Sequence, residues 1–143
     1  MRQRYLLCQV EWGPGPQVDP SPITASDIFA SLRASVQEVL GDAGYAAAAS
    51  LLAVRFFSPL TRLAVVRAPA EHAARVRAAL VLLRAVRKRP AAVHVVEVLS
   101  TTRTLREALR RWTASVADAT GEDGAGEAFF AALEAEDAAL AAV

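Results

Sequence analysis

The chain is poor in the residues that staple small proteins or hold metals. Its 143 residues include one cysteine, Cys8, and two histidines, His72 and His94. A single cysteine excludes an internal disulfide and fits a reducing compartment. Cys8, His72 and His94 are too dispersed for a zinc-binding spacing. No apolar run approaches the roughly 20 residues needed to span a bilayer. The apolar stretch after Arg4 meets Gln9 and Glu11 too soon to be a signal-peptide core. A soluble, intracellular protein without a membrane partner is expected.

The other shortage is of positive charge near the C-terminus. Residues 113–143 hold seven acids and no base, a net of −7. Residues 1–112 hold 16 basic and 8 acidic side chains, a net of +8 that the overall +1 conceals. From Arg55 to Arg111 the count is 13 basic to 3 acidic. A block this cationic in a small domain points to a polyanion, of which RNA and DNA are the usual ones. Fifteen of the sixteen are arginine, which grips phosphate with two prongs and stacks on bases. A GC-rich coding sequence accounts for arginine over lysine, but not for the segregation of sign.

Hydrophobic spacing gives the element order. Arg4 to Trp12 alternates as a strand, with Leu6, Cys8, Val10 and Trp12 on one face and Tyr5 and Leu7 on the other. The Pro- and Gly-rich stretch from Gly13 to Pro22 is a loop. Thr24 caps a helix carrying Ile28, Phe29, Leu32, Val36, Val39 and Leu40 on one side, with Gly41 and Gly44 at its end. Leu51–Phe57 and Arg62–Arg67 read as a hairpin. A second helix is expected from Ala70 to Arg87, stopped by Pro90, and a fourth strand from Ala92 to Leu99. A third helix starts near Thr101 with the stripe Leu105, Leu109, Trp112 and Val116. Thr120–Gly126 is a linker, and Glu127–Ala142 is acidic, Ala-rich and helix-prone. The order βαββαβα predicts an α+β sandwich, a ferredoxin-like antiparallel sheet with an additional C-terminal helix. Its core domain spans residues 1–118, and the acidic segment 119–143.

Three places could carry binding chemistry. Thr101 and Thr102 open a helix whose free N–H groups favour anions, and Arg103, Arg106 and Arg110 share one of its faces. A capped helix with a solvated face explains the same residues. Arg84, Arg87, Lys88 and Arg89 suit a helix C-terminus through its dipole, or an RNA. Arg55, Phe57, Arg62 and Arg67 on the hairpin combine cation and aromatic as single-stranded RNA contacts do, although strand aromatics usually belong to the core. Both sheet faces are apolar, with Tyr5, Leu7, Leu51, Val93 and Val95 opposing the core set. Those five must be covered by the third helix, the C-terminal segment or another subunit. The acidic segment itself is solvated or an intramolecular decoy for the basic surface.

Known catalytic and nucleotide signatures are missing. The third strand has no aromatics, so base stacking across the sheet in the manner of an RRM is not expected. There is no nucleophile elbow, P-loop or paired carboxylate.

Arg4-Tyr5-Leu6-Leu7-Cys8, Ala53-Val54-Arg55-Phe56-Phe57 and Ser100-Thr101-Thr102-Arg103-Thr104, in this order and spacing, resemble the Pop-five family of ribonuclease P and RNase MRP subunits over about residues 2–117. Ser100 replaces the family's glycine, and Thr102 its aliphatic residue. The resemblance implies a non-catalytic, ferredoxin-like RNA-binding protein that stabilises the catalytic domain of an RNA. That RNA, with its own magnesium ions, removes 5′ leaders from precursor tRNA; this chain would bind no cofactor. Implied partners are ribonuclease P RNA, MRP RNA with its role in rRNA processing, and a larger barrel-fold subunit. A small subunit of similar fold or a second copy of the chain would complete the set, with precursor tRNA nearby. The implied location is the nucleus and nucleolus, or the cytoplasm in archaea. Expected RNA contacts are Arg4, Arg55, Arg62, Thr101, Thr102, Arg103, Arg106 and Arg110; Tyr5, Leu7, Leu51, Val93 and Val95 form the expected protein interface. The alternatives are a protein-interaction or regulatory module without RNA, and a small enzyme with a pocket at His72 or His94.

Overall fold

The computed structural model describes residues 2–15, 21–117 and 125–141. The elements are β1 (Gln3–Trp12), α1 (Ala25–Ala48), β2 (Ala53–Phe57), β3 (Leu63–Pro69), a 3₁₀ turn (Ala70–His72), α2 (Ala73–Leu82), β4 (Ala85–Val86), β5 (Arg89–Leu99), α3 (Thr102–Ala117) and α4 (Ala125–Ala141). The sheet order is β2-β3-β1-β5-β4, with every pairing antiparallel. This is the expected α+β, ferredoxin-like arrangement with a short extra strand at one edge. The expected boundary at residue 118 and most of the expected linker lie outside the described residues; Ala125 and Gly126 belong to α4.

The sheet is covered on both sides. On the first, α1 and α2 pack through Ile28, Leu32, Val36, Val76 and Leu80 onto Leu6, Cys8, Val10, Ala64 and Val66. Ser35 Oγ ties the two helices by donating to Ala79 O at 2.7 Å. Thr24 caps α1 in a reciprocal box, its Oγ1 accepting from Asp27 N while Asp27 Oδ2 accepts from Thr24 N at 2.8 Å. Gly41 kinks α1 at φ 74°, after which the helix resumes to Ala48 rather than ending. On the second side, α3 and α4 bring Leu105, Leu109, Phe129, Phe130 and Leu133 onto Tyr5, Leu7, Phe56, Leu63 and Val65. Full burial of each such side chain is worth about 1.5–3 kcal/mol, so α4 is a structural layer rather than an appendage.

Two expectations fail for reasons of backbone geometry. The second helix stops at Leu82, not Arg87, and the chain forms a tight β4–β5 hairpin in which Arg87 (φ 50°) and Lys88 (φ 64°) make the turn. Successive positive φ values match the twist of a two-residue hairpin. Bulges also shift the register at Leu7/Cys8 against β5 and at Val54/Phe56 against β3. An extra residue reverses which side chains face which side. Val93 and Val95 therefore join the first core instead of lying with Tyr5 and Leu7. Arg55 and Phe57 likewise lie on opposite faces: Arg55 reaches α4, and Phe57 packs on the first core.

Candidate nucleic-acid interface

Ser100 and Thr101 follow β5 directly, and β5 ends beside Tyr5. This puts the mouth of α3 at the same end of the sheet as Arg4. Thr101 caps α3: its Oγ1 accepts from Thr104 N at 3.1 Å, and its carbonyl accepts from Leu105 N at 3.0 Å. The Thr101 and Thr104 hydroxyls share a further hydrogen bond at 2.8 Å. The hydroxyl expected to meet phosphate is thus engaged within the helix cap. Thr102 lines a cleft of about 180 Å³ between α3 and α4, together with Arg103, Arg106, Phe130, Leu133 and Glu134.

The arginines of this face differ in how far they are neutralised. Arg103 is 89% exposed and, among the described residues, pairs only with Glu107, one helical turn on, at 3.5 Å. Arg110 is exposed on α3. Arg106 is sandwiched: its guanidinium lies 5.1 Å from the Phe130 ring and forms an ion pair with Glu134. Arg55 meets Glu136 at 2.5 Å. The acidic α4 therefore occupies two of the expected phosphate contacts, as a decoy would. Arg111, which the sequence did not single out, donates to both Glu97 carboxylate oxygens at 2.8 and 2.6 Å. Trp112 Nε1 donates to the same carboxylate at 2.8 Å, and these bonds hold Glu97 below its ordinary pKa. A strand carboxylate facing a helix one loop later was the only available signal for this pair.

The remaining contacts are scattered. Arg4 donates to Gln3 O at 3.0 Å and lines a separate cleft with Arg2 and Glu71. Arg62 lies at the opposite end of the sheet, beside Trp12, Phe57 and Arg89. Arg67 is half-buried, donates to Leu51 O at 2.9 Å, and has its pKa lowered, first by burial and then by Arg55. In the basic cluster of residues 84–89, Arg87 is a brace: it donates to the Ser21 and Pro22 carbonyls and pairs with Asp27 at 3.3 Å. The helix-dipole explanation of that cluster falls, because α2 has already ended.

The expected protein interface is corrected by burial. Tyr5 (2% exposed), Leu7 (0%) and Val93 (4%) are interior residues of the chain itself. Val95 packs on the first core, and Leu51 is half-buried against Arg67. Their cover is α1 to α4, since the amphipathic α3 and α4 bury the second face intramolecularly. His94 is exposed and lies 3.2 Å from Glu11, whereas His72 sits in the 3₁₀ turn with Nδ1 buried and without a hydrogen-bond partner among the described residues. Among the described residues no three His, Cys, Asp or Glu side chains converge to hold a metal. No described helix is long and apolar enough to cross a membrane.

Comparison with known proteins agrees with this architecture. The chain is 36% identical over 107 residues to the ribonuclease P/MRP protein subunit POP5 of Schizosaccharomyces pombe, covering 70% of this chain and 77% of that protein. A chain in the cryo-EM structure of yeast ribonuclease MRP superposes with a TM-score of 0.51 at 12% identity, covering 80% of this chain and 93% of that one, a likeness of fold. Residues 4–110, from β1 into α3, match the family described as Rpp14/Pop5. By that match and that identity, the chain belongs to the Rpp14/Pop5 family.

Proposed function

We propose that this protein is a non-catalytic, RNA-binding subunit of ribonuclease P, shared with RNase MRP, that stabilises the catalytic domain of the RNA. The observation that carries the reading is family membership over residues 4–110, a span that contains every expected contact from Arg4 to Arg110. The charge distribution supports it: Arg103 and Arg110 project from one helix into solvent, where guanidinium groups can neutralise phosphate and release counterions. The RNA performs the cleavage with its own magnesium, and the carboxylates Asp27, Glu97, Glu134 and Glu136 are committed to arginines of this chain. In this reading the glutamates of α4 compete with RNA for Arg55 and Arg106. The complex acts on precursor tRNA, and on rRNA precursors as MRP, in the nucleus and nucleolus or in an archaeal cytoplasm. A barrel-fold subunit and a subunit of similar fold complete it. These protein partners would meet exposed aliphatic surface, for which Val81 (61% exposed) and Leu82 (58%) offer the better seat than the buried Tyr5 and Leu7.

The test is to purify the tagged protein from its own cells and sequence the RNA that comes with it. A structured RNA with the ribonuclease P core is expected; tRNA alone, or no RNA, refutes the reading. In vitro, Arg103→Ala with Arg110→Ala, the two exposed arginines of α3, should reduce the salt slope of RNA binding by about 1–2 units. A stoichiometric protein partner with no RNA would instead favour an interaction module.

A further inference from the structure

At the end of the sheet away from α3, the last residue of β1, the β2–β3 turn and the first residue of β5 enclose a cleft of about 300 Å³. Trp12 and Phe57 form its walls and Ile23 contributes a buried apolar surface. Arg62 and Arg89 bring two guanidinium groups. The Arg89 guanidinium lies 4.4 Å from the centre of the Trp12 ring, so a cation–aromatic stack is already assembled. Neither Arg62 nor Arg89 has a carboxylate partner among the described residues, in contrast to Arg55, Arg87, Arg106 and Arg111.

The local backbone is built to hold these groups. Arg62 adopts φ 61°, a left-handed conformation that costs a non-glycine residue about 1–2 kcal/mol. Arg62 N donates to Ser58 O at 2.7 Å, and Arg62 O accepts from Val10 N at 2.9 Å, which pins the turn against β1. The buried Thr61 and Ser58 side chains brace it further. On the other wall, Gly13 N donates to Pro90 O at 2.8 Å. A Cβ at Gly13 would stand 2.9 Å from Pro90 Cβ, so the close approach that sets Arg89 over Trp12 requires glycine. Strained positions maintained by this many contacts are typical of binding sites.

We infer that this cleft receives one unpaired nucleotide of a single-stranded RNA segment, its base extending the Trp12–Arg89 stack and its phosphate meeting Arg62. The volume suits a base, aromatic and guanidinium planes are the surfaces on which unpaired bases stack, and two cations without a carboxylate partner among the described residues suit a phosphate. A duplex would not fit this chemistry, because its base faces are already stacked. The inference rests on the RNA-binding reading but uses residues at the far end of the molecule from the α3 arginines. The cleft thereby adds a contact that reads single strands to a surface that reads phosphate.

The test uses the full-length chain carrying Trp112→Phe, which leaves Trp12 as the only tryptophan. An oligouridylate octamer should change Trp12 emission on titration, and an all-abasic ribose–phosphate octamer should not. Trp12→Leu, which keeps an apolar contact with the core, should weaken octamer binding by about 5- to 160-fold, the range found for loss of one stacked base. Arg62→Ala with Arg89→Ala should do the same, and serves alone if Trp12→Leu fails to fold. An abasic octamer that perturbs Trp12 equally, or substitutions that leave octamer affinity unchanged, would overturn the inference. Uridine monophosphate saturating at the octamer's concentration would overturn the assignment to a strand and mark a free-nucleotide site. If these substitutions are silent while Arg103→Ala with Arg110→Ala still lowers the salt slope on ribonuclease P RNA, the cleft fails and the RNA-binding reading stands; if both are silent, both fail.

Discussion

Converting Glu134 and Glu136 to glutamine separates the two roles of α4, which both packs on the sheet and neutralises arginines. The pairs Arg106–Glu134 and Arg55–Glu136 are well exposed on the acidic side, with glutamate side chains 60% and 49% accessible. Exposed pairs of this kind contribute about 0–1 kcal/mol each. The double variant should therefore lose less than about 2 kcal/mol in urea unfolding, with Phe129, Phe130 and Leu133 still holding the helix down. Its effect on RNA should be larger. In the wild-type chain, an incoming phosphate that takes Arg55 or Arg106 liberates a carboxylate, which recruits a cation and cancels part of the counterion release. Removing both carboxylates restores that release, so the salt dependence of RNA binding should steepen by about 1.4–1.8 units for two cations. Fluorescence anisotropy with labelled ribonuclease P RNA between 50 and 300 mM salt (about 14 to 6 Å of screening length) measures the slope. An unchanged slope and affinity would place Arg55 and Arg106 outside the RNA contact and refute the competition.

Three further outcomes are expected. Gly13→Ala should destabilise the fold by about 1–3 kcal/mol, because its Cβ would meet Pro90; an unaltered urea midpoint would show that the β1–β5 approach is slack. Burial pushes the Cys8 thiol up to about 12, so a thiol-reactive disulfide reagent at pH 8 should label the native protein only at the rate at which it unfolds, and fast labelling would contradict the packing around β1. Hydrogen bonds from Arg111 and then Trp112 hold the Glu97 carboxyl below its ordinary 4.5. Its contribution is thus complete above pH 4.5 and disappears as pH falls through the lowered value; Glu97→Gln should flatten the acid limb of the stability profile, and a limb as steep as the wild type's would rule this out.

Much of the fold was legible because alternation and capping are local. β1 alternates from Arg4 to Trp12, and Thr24 with Asp27 announces α1 at the correct residue. What failed was non-local or conformational. Arg87-Lys88 carries none of the glycine or asparagine that normally signals a turn with positive φ, so the β4–β5 hairpin read as the end of a helix. The bulges beside Leu7 and at Arg55 leave no trace in a period-two pattern, yet they decide that Val93 belongs with Val10 and that Arg55 faces α4. The α3 arginines could be read as a helical stripe. Their pairing with α4 could not, because no sequence rule places Glu134 beside Arg106. Trp12 and Arg89 were equally invisible as a pair, since only the antiparallel β1–β5 register brings a strand's last residue to another's first.

The second hydrophobic layer is closed by α4, which the ribosome makes after every strand and helix that it covers. Until Leu133 has emerged, Leu7, Leu63 and Val65 have only α3 above them, and a nascent chain carries an oily underside through most of its synthesis. A product terminated after residue 117 would keep every arginine and lose the lid, so it should grip polyanions more firmly while sticking to itself and to chaperones. On the proposed RNA-binding reading, one short stretch of polypeptide would then both cover apolar surface and restrain the hold on nucleic acid.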